Sequence, residues 1–368
     1  MRISSFAATA ALASGCWMAA CAATDDEAPS SSGGSCAVGS ETCTCTQGGA
    51  CDPGLVCLSD LCVDPDGVGG TGAAGGSPSS SSGTGGQNPV SSSSGTGGQG
   101  ECFSDGCKAI DVLFAMDGSG SMVEEVSALS ASQAFTGIID ALATINCGDI
   151  RFRIGVTDDN DGGFIVPGGW SGAVPWFDSD TMSADEISVA FNGAAGQVNA
   201  GSGTELGCEH VLTSASTLLA GDSTGFLRDD ALLVLVLLTD VDDYGAYDNV
   251  NGNDCGVGCN TIGAPVQEIY DQLVALKGGD EKALGSIVIG GDPGVNGGVN
   301  FCNQPGTCCA GGDCNVFHAT RLWSFAALHT GMNGYTSNLC AGAQVVPNVV
   351  EDAMNANIDL ACKDFVPK

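Results

Sequence analysis

The sequence predicts an α/β fold, with a mostly parallel sheet and helices on both faces. From Cys102 to about Pro367, strand-like and helix-like patterns alternate, as in chains that form parallel sheets. The run from Leu232 to Leu238 contains seven consecutive large aliphatic residues, which is typical of a central parallel strand buried on both faces. A second, mainly apolar run extends from Asp111 to Met116. A polar turn that contains glycine follows it.

The remaining elements of this domain follow from hydrophobic periodicity. Apolar residues on one face predict helices over 122–142 and 204–219, and two closing helices over 321–330 and 345–360. Alternating or apolar runs predict strands over 150–156 and 283–289. The stretches between these elements predict three inserted loops, over 161–200, 241–262 and 292–316.

Three short motifs bring oxygen ligands to the predicted ends of these elements. Asp117-Gly-Ser119-Gly-Ser121 follows the first strand, Thr204 opens a predicted helix, and Asp240 ends the aliphatic run. Ligand sites of open α/β sheets lie beyond the carboxyl ends of the strands, so both carboxylates can meet in one crevice. Carboxylate and hydroxyl oxygens suit a hard divalent cation.

These motifs, in this order, resemble the metal-ion-dependent adhesion site of von Willebrand factor A (vWA) domains. The resemblance implies a Rossmann-type vWA fold in which Asp117, Ser119 and Ser121 hold the cation from the first loop, Thr204 from the second and Asp240 from the third. It also implies a binding function, because an acidic side chain of a protein partner completes the coordination of the metal. Mg²⁺ is the favoured ion, with Mn²⁺ and Ca²⁺ as alternatives.

Further acidic residues lie near these motifs. Asp242 and Asp243 follow Asp240 closely and could hold water molecules around the same ion, or a neighbouring Ca²⁺. Asp158, Asp159 and Asp161 follow a predicted strand and could form a Ca²⁺ loop, although their spacing does not fit an EF-hand. A solvated acidic turn is the favoured explanation of these last three residues.

The N-terminus predicts export. One positive charge and a short apolar run predict a signal peptide over residues 1–20, too short to span a membrane. Cys21 is the favoured site of lipid attachment, with Cys16 as the alternative, and ordinary secretion without a lipid remains open. The chain has 20 cysteines, and acylation at Cys21 leaves 18 for disulfides, whereas acylation at Cys16 leaves an odd number.

The rest of the N-terminal region divides by composition. A polar tether (21–35) precedes a module with six cysteines (36–62), which predicts a small disulfide framework. A Gly/Ser-rich linker (63–101) separates it from the vWA-like domain (102–368), whose insertions contain further cysteines. The group Cys302, Cys308, Cys309 and Cys314 could bind a metal with His318, but disulfides are favoured in an exported chain.

The net charge and the sequence motifs argue against several classes of function. A formal net charge of −33 argues against binding nucleic acid or an anionic membrane surface, so the predicted membrane contact is the lipid alone. The chain has no His-Glu-x-x-His motif, and Ser119 stands where phosphatase chemistry uses a second carboxylate. The sequence therefore predicts a non-enzymatic, cation-dependent binding module. The N-terminus resembles that of bacterial lipoproteins, which implies anchoring in the bacterial envelope, and Ala22 after Cys21, in place of the Asp often linked to inner-membrane retention, favours the outer membrane. The alternatives are a structural envelope protein with a stabilising metal site, and a Mg²⁺-dependent phosphatase-like hydrolase.

Overall fold

The structure is a computed structural model. It describes residues 106–148, 150–159, 163–201, 209–248, 259–295, 298–300, 302–310 and 313–367, and two short strands, β1 (Val56–Leu58) and β2 (Leu61–Val63). The predicted signal peptide, Cys21, Cys16 and the Gly/Ser linker lie outside these residues, as do Thr204 and Asp161.

Internal contacts divide the chain into two units, Met1–Ser92 and Ser93–Lys368. In the first unit, β1 and β2 form an antiparallel pair that places Cys57 opposite Cys62. The second unit contains every other element of secondary structure described below.

A six-stranded sheet forms the centre of the second unit, in the strand order β10-β7-β6-β3-β4-β5. The pairings are parallel except for that of β4 with β5, which is antiparallel. The strands are β3 (Ala109–Met116), β4 (Arg151–Thr157), β5 (Phe177–Asp178), β6 (Leu232–Leu238), β7 (Leu284–Gly290) and β10 (Gly334–Asn338). A separate antiparallel pair consists of β8 (Gly306–Ala310) and β9 (Asp313–Phe317).

Helices cover both faces of this sheet. They are α1 (Val123–Ser130), α2 (Ser132–Thr144), α3 (Ala184–Gly201), α4 (Val211–Gly221), α5 (Val266–Leu276), α6 (Thr320–Leu328), α7 (Val346–Ala353) and α8 (Asp359–Asp364). A π-helical turn (Met354–Ile358) joins α7 to α8. Short 3-10 turns lie at Gly120–Met122, Ile145–Gly148, Glu281–Ala283, Leu339–Ala341 and Ala343–Val345. Within the described residues, no single helix is long and apolar enough to cross a membrane, although the bent pair 120–130 and 135–144 meets that test together.

The side chains of β6 explain why the sheet is covered twice. Leu232, Val234, Val236 and Leu238 point into a core that includes buried residues of α1, α2, α3 and α7. The alternate residues Leu233, Leu235 and Leu237 point into a second core, with α4, α5 and α6. Successive residues of a strand face opposite sides, so an unbroken aliphatic run requires apolar partners on both. The predicted fold class, a mostly parallel sheet with helices on both faces, is confirmed.

Two predicted helices and one predicted loop differ from the structure. The helix expected over 122–142 is broken at Ala131, whose backbone is extended (φ −56°, ψ 130°). The helix expected to start at Thr204 begins at Val211. The region 161–200 is not only an inserted loop, because it contains α3. Residues at helical spacing on α3 are buried against the core: Ile187, Phe191, Ala194, Ala195 and Val198.

Disulfides join distant parts of the second unit. Cys107, directly before β3, is bonded to Cys362 in α8, and Cys308 in β8 is bonded to Cys340. Cys302 and Cys309 are disulfide-bonded as well, so the prediction of disulfides in place of a cysteine metal cluster is confirmed for these residues. Disulfides of this kind are typical of exported proteins.

Candidate metal centre

The first and third predicted loops lie at the same edge of the sheet. Strands β3 and β6 are adjacent and parallel, with Met116 opposite Leu238. Asp117 directly follows β3, and its backbone N–H donates a hydrogen bond to the carbonyl of Leu238 (2.9 Å). Asp240 lies two residues beyond the end of β6. The sheet register therefore brings the two carboxylates together.

Asp117 is held rigidly. Its side chain is fully buried, and its Oδ1 accepts a hydrogen bond from the backbone N–H of Ser119 (2.7 Å). Its Oδ2 accepts another from the hydroxyl of Thr239 (2.9 Å). The hydroxyls of Ser119 and Ser121 lie 2.8 Å apart on the same turn. The turn thus presents one fixed carboxylate and two neighbouring hydroxyls.

A third carboxylate, which sequence reasoning missed, belongs to the same cluster. One carboxylate oxygen from each of Asp117, Glu209 and Asp240 lies within 4.8 Å of the other two. Glu209 lies in the non-helical segment directly before α4, and its carboxylate accepts a hydrogen bond from Ser119. The three carboxylates come from three separate segments of the chain.

The mutual repulsion of these carboxylates favours a bound cation. Burial, reinforced by the charge of Asp240, raises the pKa of Asp117 to about 7. Burial also raises the pKa of Asp240 to about 6, and burial with the charges of Asp117 and Asp240 raises that of Glu209 to about 10. Without a cation, several like charges would be concentrated in a poorly solvated space, which favours the protonated forms of these acids.

The donor atoms present fit a hard divalent cation. Oδ1 of Asp240 is buried and has no hydrogen-bond partner in the described part of the chain, which leaves a carboxylate acceptor without a donor. Such an atom is costly in a protein interior unless a donor or a metal satisfies it. Carboxylate and hydroxyl oxygens, with no sulfur or imidazole in the cluster, are the ligand set of Mg²⁺, Mn²⁺ or Ca²⁺.

Of the described acidic residues after β4, Asp159 contacts the turn that bears Asp117. Asp159 is buried, and its Oδ1 accepts a hydrogen bond from the backbone N–H of Gly118 (3.1 Å). Burial and the charge of Asp117 raise the pKa of Asp159 to about 6. Asp159 thus positions the Asp117 turn from the next strand, while Asp158 is half-buried.

Asp242 and Asp243 hold the N-termini of two helices. The carboxylate of Asp242 accepts hydrogen bonds from the backbone N–H groups of Arg321 (2.9 Å) and Leu322 (3.2 Å), in the first turn of α6. Asp243 accepts two from Thr213 of α4, one from its backbone N–H and one from its hydroxyl, each at 2.7 Å. These contacts satisfy otherwise unpaired N–H groups at helix starts. They account for both carboxylates without a metal.

Glu209 left only a weak signal in the sequence. The helix predicted over 204–219 includes Glu209 among its residues, with no reason to single it out. Because α4 begins at Val211, Glu209 instead precedes the helix, and its carboxylate lies beside those of Asp117 and Asp240. The apolar run that starts only at Val211, directly after Glu209 and His210, was the available indication.

No known sequence family and no curated protein matches the chain. Among solved structures, the matches include a von Willebrand factor type A protein from Catenulispora acidiphila, with a TM-score of 0.36 and 13% identity, over 68% of this chain and 43% of the other. A pilus adhesin, SpaC, from Lactobacillus rhamnosus GG matches with a TM-score of 0.33 and 13% identity, over 70% and 31%. Proximal thread matrix protein 1 from the mussel byssus, described with a zinc-occupied adhesion-site motif, has a TM-score of 0.33 and 14% identity, over 68% and 48%. The chain thus spans less than half the length of each of these structures.

Proposed function

We propose that the second unit is a vWA-type module that binds a protein partner through a divalent cation. Asp117, Ser119, Ser121, Thr204 and Asp240 hold the ion, with Mg²⁺ as the favoured metal. The observation that carries the proposal is the convergence of Asp117 and Asp240 beside two facing hydroxyls at the carboxyl edge of the sheet. The resemblance of the three motifs to an adhesion site supplies the kind of function.

Each residue has a distinct part in this proposal. Asp117 and Asp240 provide the negative charge that favours a divalent ion over water in a buried space. Ser119 and Ser121 provide neutral oxygens, which leave the metal able to attract a further anionic ligand. When bound, the cation would supply an electrostatic attraction for a carboxylate of the partner. Asp159 acts indirectly, because its hydrogen bond to Gly118 fixes the turn that bears Asp117.

We propose further that a lipid on Cys21 attaches the chain to the cell envelope, with the outer membrane favoured. The tether (21–35), the cysteine-rich module (36–62) and the linker (63–101) would then separate the binding domain (102–368) from the membrane. The support is the N-terminal sequence and the cysteine count. Metabolic labelling with a fatty acid tests this step, since a Cys21→Ser variant should lose the label and a Cys16→Ser variant should keep it.

Metal-dependent stability of the full chain tests the ion site. Thermal unfolding is measured with EDTA, Mg²⁺, Mn²⁺ or Ca²⁺, for the wild type and Asp117→Ala. An ion at 100 times its dissociation constant stabilises the folded state by about 2.7 kcal/mol. We expect a metal-dependent rise in the unfolding midpoint of the wild type that Asp117→Ala abolishes. An equal response of both proteins would contradict the site.

Partner binding needs a separate test. Metal-dependent capture of envelope proteins is compared for the wild type, Asp240→Ala and the control Asp140→Ala, which removes an exposed carboxylate from α2. Asp240→Ala should fold and lose the EDTA-sensitive capture, whereas Asp140→Ala should retain it. If Asp240→Ala fails to fold in the presence of metal, a structural role for the ion is favoured over binding.

A further inference from the structure

The three carboxylates of the cluster provide more negative charge than a divalent cation provides positive charge. Asp117, Glu209 and Asp240 each bring an oxygen within 4.8 Å of the other two. With all three ionised around one divalent ion, the net charge of the group is negative. Glu125 on α1 adds a further negative charge that acts on Asp240, and its Oε2 is buried with no hydrogen-bond partner among the described residues. Such a group repels an additional carboxylate.

The three carboxylates differ in how firmly the protein holds them. Asp117 is fully buried and accepts hydrogen bonds from Ser119 and Thr239. Asp240 follows directly on Thr239, whose backbone N–H is bonded to the carbonyl of Ile289 (3.2 Å). Glu209 lies outside any helix or strand, is partly exposed, and has one more methylene group than an aspartate. Of the three, Glu209 is the side chain that can leave with the least rearrangement.

Displacement of Glu209 would leave the neighbouring helix in place. α4 starts two residues later, at Val211, and its first turn is fixed by the hydrogen bonds of Thr213 to Asp243. Asp243 comes from the loop after β6, so this attachment does not pass through Glu209. Rotation about the side-chain bonds of Glu209 moves its carboxylate without changing this attachment or the stacking of His210 on Tyr244.

We propose that Glu209 is an internal ligand of the metal, which occupies the place of the partner's acidic group and must be displaced for the partner to bind. This inference rests on the proposed function, since it concerns the same ion. It makes the resting site closed to free carboxylates in solution. Only a partner whose acid is supported by additional contacts would compete with a carboxylate that is already part of the chain.

Mn²⁺ bound to the full chain provides a direct readout, because water relaxation reports the number of exchangeable waters on the ion. The comparison includes the wild type, Glu209→Ala, Asp117→Ala and Glu268→Ala, which removes an exposed glutamate from α5. Glu209→Ala should bind Mn²⁺ at least about tenfold more weakly, since loss of supporting groups alone costs that much. It should also gain an exchangeable water, and added acetate should displace that water. The wild type and Glu268→Ala should have fewer waters and no response to acetate.

Each other outcome has a separate meaning. Equal affinity and equal water count for Glu209→Ala and the wild type would overturn the internal-ligand proposal while leaving the ion site intact. Loss of Mn²⁺ binding in Glu209→Ala, as complete as in Asp117→Ala, would show that Glu209 cannot be displaced and would overturn it too. Absence of Mn²⁺ binding in the wild type would contradict the proposed function itself. Circular dichroism and thermal unfolding in EDTA establish that each variant is folded.

Discussion

Strand β3 begins near one fully buried aspartate, Asp111, and ends beside another, Asp117. At the amino end, Asp111 accepts hydrogen bonds from the backbone N–H and Nε of Arg228, both at 2.8 Å. Lys277 donates to the carbonyl of Arg228, which brings a second cation near. At the carboxyl end, Asp117 faces Asp240 and Glu209 and receives hydrogen bonds only from neutral groups among the described residues.

The contrast separates a charge that the chain itself compensates from one that it does not. Burial raises the pKa of Asp111, but the guanidinium of Arg228 opposes this rise, so the chain itself supplies the counter-charge. Around Asp117 the chain supplies further negative charge. Clusters of acids whose pKa values are raised by one another are common at binding sites, because the compensating charge arrives with a ligand.

Removing the structural carboxylate should have the largest effect. Asp111→Asn leaves the guanidinium of Arg228, whose side chain is only 9% exposed, without its anion. Breaking such a buried pair costs about 3–5 kcal/mol, and we expect this loss in urea unfolding with or without metal. The control Asp230→Asn removes the partner of Arg151 in a pair whose side chains are each 50% exposed, and should cost less than about 1 kcal/mol. If Asp111→Asn lowers the unfolding free energy by less than about 1 kcal/mol, the proposed contrast between the two ends of β3 is contradicted.

The same substitution at the other end of β3 should have the opposite sign. In EDTA at pH 8, Asp117→Asn removes a repulsive charge. The carboxylate is replaced by an amide of similar shape. We expect a gain in unfolding free energy on the order of 2 kcal/mol, since the pKa of Asp117 is raised to about 7 by burial and Asp240. With saturating Mg²⁺ the variant should be less stable than the wild type. A loss in EDTA would mean that the chain already compensates Asp117.

The fall in stability with rising pH should largely disappear when metal is bound. Unfolded aspartates titrate near pH 3.8, whereas burial raises the pKa of Asp240 to about 6 and that of Asp117 to about 7. Between these values the folded state binds more protons, so in EDTA the unfolding free energy should fall as pH rises from 5 to 7. The slope is about 1.4 kcal/mol per pH unit for each retained proton.

Bound metal displaces these protons from the folded state, and unfolded aspartates have already lost theirs above pH 5. In saturating metal the unfolding free energy should therefore be nearly independent of pH over the same range. Unfolding midpoints measured at pH 5, 6 and 7 in both conditions test this. Parallel curves with and without metal would contradict it.

The smallest expected effect distinguishes Asp240 from its neighbour Asp243. Asp243→Ala removes two hydrogen bonds at the start of α4 and should cost about 1 kcal/mol, the usual value of a helix cap. The affinity for Mn²⁺ should change by less than about threefold, because the carboxylate of Asp243 is bonded to Thr213 and is not part of the three-carboxylate cluster. Isothermal titration of this variant beside Asp240→Ala gives the comparison. A drop of tenfold or more would instead place Asp243 among the groups that support the metal.

The sequence was sufficient for the parts of the molecule where one face or both faces of an element are buried. The aliphatic run of β6 requires burial on both sides. Asp117 and Asp240 could be predicted to lie close together because each follows the end of a predicted strand. Glu209 could not be found this way, because its approach to Asp117 and Asp240 depends on where α4 begins and on contacts between distant parts of the chain. Local periodicity records neither.

Helix α3 was missed for a different reason. Its buried face contains Ala194 and Ala195 beside Ile187, Phe191 and Val198, so small residues carry part of the apolar pattern. The break between α1 and α2 at Ala131 has no proline or glycine to mark it in the sequence. Tertiary packing determines both features.

The bond between Cys107 and Cys362 has a mechanical consequence. It encloses the whole sheet in a covalent ring whose cysteines are 255 residues apart, with their Cα atoms at 4.9 Å. Tension applied to the chain on either side of this ring stops at the sulfur atoms, so the sheet cannot be unravelled from its ends. A load between Cys107 and a ligand held at Asp117 would run along β3. The ladders to β4 and β6 would resist it together, in shear.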